Sequence, residues 1–532
     1  MEKLSKYQKD DLILNFKKTN MKNRLIVLFI IVSQTNAFGQ PFPIPPTSNH
    51  SGGEYRVYRS PTEDTITLNN LRKSIIWVEG FDANNHINTE TLYNQIDQGT
   101  LAAQLHTAGY DIIVLNFNDG GDFIERNALV LQQLIQEINA NKPPTDELVV
   151  IGFSMGGLVA RYALVNMENM DVDHETRMYI SYDSPHNGAH IPVGIQALAL
   201  TSLSPSYQSL FPELEEIDRQ FNSPAATQML RYRLTSATQN NQVLQTNPDH
   251  IVFTNQINSL NSNGGFPTMT DNIGISLGSW TGTPQRASFD TDKDGFNDYQ
   301  YSGFSALFIN APQAEASPNI WELNQCEINS TFFFQSFLST TIATDYPYHN
   351  DRSAYFGLQN SNYASYWYSN SFGLSLFPLG AWSRIYSYEN GEAMDFAPGS
   401  FSTSCEQIAE GFNTSDGCTF AYYDRSTFVP TVSALAYNTT NLFHKISNDP
   451  NRLSKTPFDE IFGFCGDGHS HDENETTNFV LVNWLLSKIQ GYPTPNVYCD
   501  CDDFYEFSAT RNISGTSSLC TSNSNYSTPI MH

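Results

Sequence analysis

One serine in this chain stands where covalent chemistry needs it. Val149-Val150-Ile151-Gly152-Phe153-Ser154-Met155-Gly156-Gly157-Leu158-Val159-Ala160-Arg161-Tyr162 runs from branched apolar residues through Gly-x-Ser-x-Gly into Leu158, Val159, Tyr162 and Leu164, which fit one face of a helix. The pattern predicts a strand, a sharp turn and a helix: a nucleophile elbow. The turn needs glycines because its central residue is held in a strained backbone conformation, and a side chain at Gly152 or Gly156 would collide with its neighbours. That geometry lifts the Ser154 hydroxyl clear of the sheet and sets it at a helix start, where free N–H groups favour developing negative charge. A glycine-rich turn with an incidental serine is the plain alternative, and the flanking strand and helix weigh against it.

A second chemical pattern is Asp290-Thr291-Asp292-Lys293-Asp294-Gly295-Phe296-Asn297-Asp298. Carboxylates at Asp290, Asp292, Asp294 and Asp298, a glycine at the sixth position and the Phe296 carbonyl fit oxygen coordination of Ca²⁺ in a tight loop. The twelfth position is Tyr301 rather than Glu, so the loop is not a complete EF-hand, and a solvated acidic turn is the alternative. The expected role of the ion is structural; catalysis by Ser154 calls for no cofactor.

The elements that must carry Ser154 can be read along the chain. Ser74 to Glu79 reads as a strand ending at Gly80-Phe81-Asp82, followed by a helical pattern with Leu92, Ile96, Leu101 and Leu105 that stops at Gly109. Tyr110 to Phe117 is the next strand, and Phe123 to Ile138 a helix with Ile124, Ala128, Leu131, Ile135 and Ile138 on one stripe. Glu147 to Phe153 feeds the serine, and Arg177 to Tyr182 is a strand ending in Asp183-Ser184-Pro185-His186-Asn187-Gly188-Ala189. Strands alternating with helices at this spacing predict a mostly parallel sheet with helices on both faces. The alternation fades from about Ile191 to Tyr422 and returns with Thr427 to Leu435, Phe458 to Gly463 and a last helix bearing Phe479, Val482, Leu486 and Ile489.

This divides the chain into a leader at 1–40, an N-terminal arm at 41–70, core at 71–190, a cap insertion at 191–422, core again at 423–495 and a tail at 496–532. Met21-Lys22-Asn23-Arg24, the apolar run Leu25 to Val32 and Ala37-Phe38-Gly39 have the layout of a secretory signal peptide, with Met21 a candidate true start. The apolar run is too short to span a bilayer, and no later segment reads as transmembrane. Ile513 to Cys520 resembles the opening strand of a small immunoglobulin-like module, which the remaining residues are too few to close. Composition sets limits on partners. With 28 Lys and Arg against 55 Asp and Glu, the net charge is −27, which argues against nucleic-acid or anionic-membrane binding driven by charge. All seven cysteines lie in the second half, and in an exported chain disulfides are their first reading, with Cys405 and Cys418 the nearest plausible pair.

Ile151 to Tyr162, taken with Asp183 to Ala189, resembles the lipase-type α/β-hydrolases, in which a Pro-His-x-Gly turn follows the strand after the nucleophile. The branch it most resembles is that of the GPI inositol-deacylase-like hydrolases and related exported proteins of Bacteroidota, and Phe428 to Leu435 is similar to a late segment of that group. The resemblance covers residues 71 to 190 and 425 to 490. It implies an α/β-hydrolase fold with a large cap, hydrolysis of a small-molecule or lipid-like ester, and export.

In that fold the order is nucleophile, acid, then histidine, the histidine lying on the loop before the last helix. His469 and His471 are the candidates, with His471 preferred by analogy with the family's short loop; a metal held by the neighbouring His, Asp and Glu is a rival reading. Asp183, at a strand end beside the nucleophile strand, is the first choice of acid, followed by Asp424 and Asp459. The oxyanion donors implied are the backbone N–H groups of Met155 and of Phe81, with Gly80 allowing close approach. His186 reads as a structural residue of its turn. The expected activity is a lipase- or esterase-type serine hydrolase acting through an acyl-enzyme. A non-catalytic adhesion protein on the same scaffold, or an amidase or acyltransferase with the same residues, is the alternative. The aromatics Phe332-Phe333-Phe334, Phe337, Tyr366-Trp367-Tyr368 and Phe372 suit either an acyl cleft or the insertion's own core.

Overall fold

In the computed structural model of the chain, the described residues are 41–59, 71–98, 100–191, 214–235, 242–285, 425–471 and 478–491, with short stretches elsewhere, among them 397–402. The leader, Asp424, the Asp290 to Asp298 loop, Cys405 and Cys418 lie outside them.

Eight strands form the central sheet: β1 (Phe42–Ile44), β2 (Gly53–Tyr58), β3 (Ile75–Val78), β4 (Ile112–Phe117), β5 (Leu148–Phe153), β6 (Thr176–Tyr182), β7 (Asp271–Ser279) and β8 (Glu460–Phe464). Their order is β1-β2-β4-β3-β5-β6-β7-β8. From β4 to β8 every pairing is parallel, while β2 runs antiparallel to β1 and β4. The alternation expected of a strand buried on both sides is explicit in β3. Ile76 and Val78 join a core with Ile124, Leu131 and Ile135 of α3 (Ile124–Asn141) and Leu158 and Leu164 of α4 (Met155–Asn169). Ile75 and Trp77 face the other way, into a core with Leu92 and Ile96 of α1 (Thr89–Asp97), Leu105 of α2 (Leu101–Thr107) and Leu485 and Ile489 of α6 (Phe479–Gln490). Both faces are apolar because helices cover both, as parallel sheets require.

Local chemistry sets the ends of these helices. The Asn88 side chain accepts from the N–H groups of Glu90 and Thr91, and Asn478 does the same for Val480 and Leu481. The helical pattern from Leu92 to Leu105 is two helices rather than one. Thr100 has φ 67°, and the Asp97 side chain accepts from Ala103 N–H across the break. Within α6, Phe479 of the expected apolar stripe is exposed, and Leu481 and Leu485 are buried instead.

Two boundaries differ from those read in the sequence. The arm at 41–70 contributes β1 and β2 to the sheet edge. The stretch 191–422 is not all insertion, because β7 lies within it and sits between β6 and β8. Its Ile273, Ile275 and Leu277 alternate with Gly274, Ser276 and Gly278, small residues that weaken the strand signal. Packing demands them. A Cβ on Gly274 would come within 2.5 Å of the Phe458 ring. The same stretch supplies α5 (Pro248–Asn258), whose Phe253 and Ile257 are core residues. Conversely, where Thr427 to Leu435 is expected as a late strand and turn, the strand Ser426–Pro430 pairs antiparallel with Gly399–Ser402 outside the central sheet and passes into a helical turn at Thr431–Ala434. Among the described residues, no helix is long and apolar enough to cross a membrane.

Candidate active site

Ser154 follows β5 and caps α4 with φ 53° and ψ −123°, a conformation that L-residues rarely occupy. The strain is held by its surroundings. Ser154 N–H donates to Tyr182 O at 2.9 Å, and Gly157 N–H donates back to Ser154 O at 3.1 Å. A Cβ on Gly152 would strike the Gly156 backbone, and one on Gly156 would lie 2.5 Å from the carbonyl oxygens of Val78 and Glu79. These glycines let the start of α4 press against the ends of β3 and β5.

His471 approaches Ser154 from the loop after β8. Its Nε2 is 2.9 Å from Ser154 Oγ, and its Nδ1 is 2.7 Å from Asp183 Oδ2. Because the Asp183 carboxyl accepts, Nδ1 carries the ring proton and Nε2 presents a lone pair to the serine hydroxyl. Several contacts fix the ring. His471 N–H donates to Phe401 O at 2.9 Å, and the Phe153 and Phe428 rings pack on the imidazole with centroids 5.0 and 4.8 Å away. All three polar side chains are buried, Asp183 completely.

Asp183 terminates β6 with φ 50°. Strand β7 holds it: Asp183 N–H donates to Ile275 O at 2.8 Å, and its Oδ1 accepts from Leu277 N–H at 2.9 Å. One oxygen is fixed by the sheet and the other faces the histidine.

The remaining candidates fall elsewhere. His469 donates its N–H to Leu277 O, accepts from Phe401 N–H through its carbonyl, and packs its ring tilted against that of Phe464, with centroids 3.9 Å apart. Asp459 lies at the opposite end of the sheet, where it pairs reciprocally with the Asn272 backbone at 2.8 Å in both directions. The acid position after the next strand, expected near Asp424, moves as well, since the strand after β6 is β7 and ends at Ser279. For the oxyanion donors, Met155 is the first residue of α4, so its N–H has no acceptor within the helix. The loop bearing Phe81 comes close enough that a Cβ on Gly80 would lie 3.4 Å from Ser154 Cβ. Among the described residues, no group of three His, Cys, Asp or Glu could hold a metal ion.

Sequence reading did not single out Phe153, Phe428, Phe401 or Leu277 as parts of this site. Phe153 stands in the elbow and Phe428 in the late segment, but nothing in their spacing announces ring contacts. Phe401 and Leu277 act through backbone groups, which residue types cannot reveal.

Beneath the elbow, Arg161 of α4 is fully buried. Its Nε donates to Gly265 O at 2.9 Å, its Nη2 to Asn258 Oδ1 and Gly264 O at 2.6 Å each, and its Nη1 to His186 Nδ1 at 3.3 Å, while the guanidinium lies 3.8 Å over the Phe266 ring. Burial lowers its pKa to about 9. Burial first, and then the Arg161 charge, hold His186 well below the usual histidine range. The neutral His186 therefore donates from Nε2 to Ser181 Oγ at 2.7 Å.

A mostly parallel sheet in this order, with a serine elbow after β5, is the α/β-hydrolase fold. Residues 89–259 match the profile of the PGAP1-like alpha/beta domain family. Among solved structures, the chain is similar to the mature form of Bacillus licheniformis lipase BlEst2 at 15% identity, covering 45% of this chain and 72% of that one, with a TM-score of 0.26. It is also similar to a thermostable carboxyl esterase from Bacillus coagulans (11% identity, 44% and 79% covered, TM-score 0.24) and to an esterase from Pyrobaculum calidifontis (12%, 40% and 67%, 0.24). No curated protein sequence matches the chain.

Proposed function

We propose that the protein is a serine carboxylic-ester hydrolase of lipase or esterase type, with Ser154 as nucleophile, His471 as general base and then acid, and Asp183 as the group that orients and stabilises the imidazolium. The observation that carries this reading is the unbroken pair of hydrogen bonds from Asp183 through His471 to Ser154. As Ser154 Oγ attacks the ester carbonyl, its proton passes to His471 Nε2 and the carbonyl oxygen becomes an oxyanion facing the Met155 and Phe81 N–H groups. Collapse expels the alcohol, which takes the proton from His471 and leaves an acyl group on Ser154. Water then attacks with His471 again as base, releasing the acid and restoring the serine.

A small-molecule or lipid-like ester is the proposed substrate class, and export is proposed on the Met21 to Gln40 leader pattern. A fluorophosphonate probe tests the core of the reading. The purified protein should be labelled at Ser154 and should hydrolyse p-nitrophenyl butyrate; Ser154→Ala should do neither. Ester hydrolysis undiminished in Ser154→Ala would sink the proposal.

A further inference from the structure

Immediately before the loop that carries Phe81, a carboxylic side chain is shut inside the protein. Glu79 directly follows β3 at 1% exposure, and a Cβ on Gly156 would touch its carbonyl, so its backbone lies against the nucleophile elbow. Its side chain turns toward the end of β4. Oε2 accepts from Phe117 N–H at 2.6 Å, and the Asn116 amide, assigned the orientation that turns its nitrogen toward these acceptors, donates to Oε1 at 2.9 Å and to Oε2 at 3.0 Å. The same Asn116 nitrogen donates to Ile87 O at 3.1 Å. Ile87 N–H in turn donates to Asp82 Oδ2 at 2.7 Å.

These bonds have one geometric result. The loop that contains Gly80 and Phe81 leaves the sheet at Glu79 and reaches the cap of α1 just after Ile87, and the single Asn116 amide ties both ends together. Burial pushes the Glu79 carboxyl well above the usual carboxylate range, against the pull of Phe117 N–H, with Asp82 and Glu54 adding to the rise. A buried carboxyl without a catalytic contact is costly to keep unless its hydrogen bonds serve another purpose.

We propose that Glu79 and Asn116 form a buried clamp that sets the position of the Phe81 backbone N–H for the oxyanion, making Glu79 a positioning residue of the hydrolytic site. This rests on the reading of Ser154 as nucleophile and Phe81 as an oxyanion donor. Neither clamp side chain touches the substrate. Its effect should therefore appear in the chemical step and not in binding, because a displaced donor is missed most where negative charge develops.

The test compares Glu79→Gln, Asn116→Ala and the double variant in the full chain. In Glu79→Gln one of the two acceptor oxygens becomes an N–H donor facing the Asn116 amide nitrogen, and in Asn116→Ala the link to Ile87 is lost. For each single variant, kcat on p-nitrophenyl butyrate and the rate of Ser154 phosphonylation by a fluorophosphonate should fall about tenfold to a hundredfold, with KM within about twofold. The double variant should lose no more than about twofold beyond the weaker single, because both changes open the same clamp. An unchanged kcat in a folded single variant, a change confined to KM, or fully multiplicative losses would overturn the clamp. If Glu79→Gln does not fold, Asn116→Ala decides by the same criteria. Ser154→Ala is the control: if it abolishes turnover and the clamp variants are normal, only the clamp fails, whereas turnover in Ser154→Ala removes both readings.

Discussion

Asp183 Oδ2 lies 2.7 Å from His471 Nδ1 while Asp183 Oδ1 accepts the Leu277 N–H of the neighbouring strand, so the sheet itself aims the carboxyl. Replacing Asp183 by Asn puts an N–H donor within reach of either partner and favours the wrong histidine tautomer. Asp183→Asn should reduce kcat by about 10³ to 10⁴, read from ester hydrolysis at neutral pH, with the elbow still intact. A loss below tenfold would show that another acid serves His471.

Asp459 provides the contrasting case. It caps the start of β7 through Asn272, far along the strand from Ser154. Asp459→Ala should cost about 1 kcal/mol of stability in urea unfolding and leave kcat per folded molecule unchanged. A large drop in kcat with normal stability would return Asp459 to the list of acids.

Arg161 is a buried cation satisfied by two carbonyls, an asparagine oxygen, a histidine nitrogen and the face of Phe266. An ammonium cannot reach so many acceptors lying in the plane of a guanidinium. Arg161→Lys should therefore destabilise the fold by about 3 kcal/mol, seen as a lowered melting temperature, and loosen the Asn258 to Phe266 segment to proteolysis. A melting point equal to that of the parent would contradict this account.

The buried histidines tie stability to pH. His250 Nδ1–H donates to Gln228 O at 2.8 Å, and burial lowers its pKa from 6.5 to about 4. The native state keeps this ring neutral while the unfolded chain takes up a proton below 6.5, so its contribution is complete above that pH and is lost as pH falls toward 4. The loss amounts to about 3 kcal/mol, and His186 and His106, also lowered by burial, add to it with the same sign. Urea unfolding between pH 7 and pH 4.5 should give a shallower pH dependence for His250→Asn than for the parent; parallel curves would rule out His250 as a source.

Much of this arrangement was legible in the sequence where local chemistry dictates it. Gly152, Ser154 and Gly156 announce the elbow because only glycine tolerates such backbone contacts, and β3, β4 and β5 announce themselves through runs of four apolar residues. Strand β7 does not, since Gly274 and Gly278 were selected by the Phe458 ring and by Gly399, contacts made across the chain. The same holds for the choice of histidine. His469 and His471 are two residues apart and chemically alike; hydrogen bonds to Leu277 and Phe401 orient them to different sides, and no local pattern encodes those partners. Glu79 is a further instance, since a glutamate after four apolar residues reads as the end of a strand and its asparagine partner lies 37 positions onward at Asn116.

The separation of 317 residues between Ser154 and His471 also bears on timing. A ribosome delivers the elbow and Asp183 long before it delivers β8 and the loop that follows. During that interval the serine has an acid nearby but no base, and β7 has no neighbour on its outer side. On the proposed reading, reactivity toward esters arrives late, with the docking of the final strand.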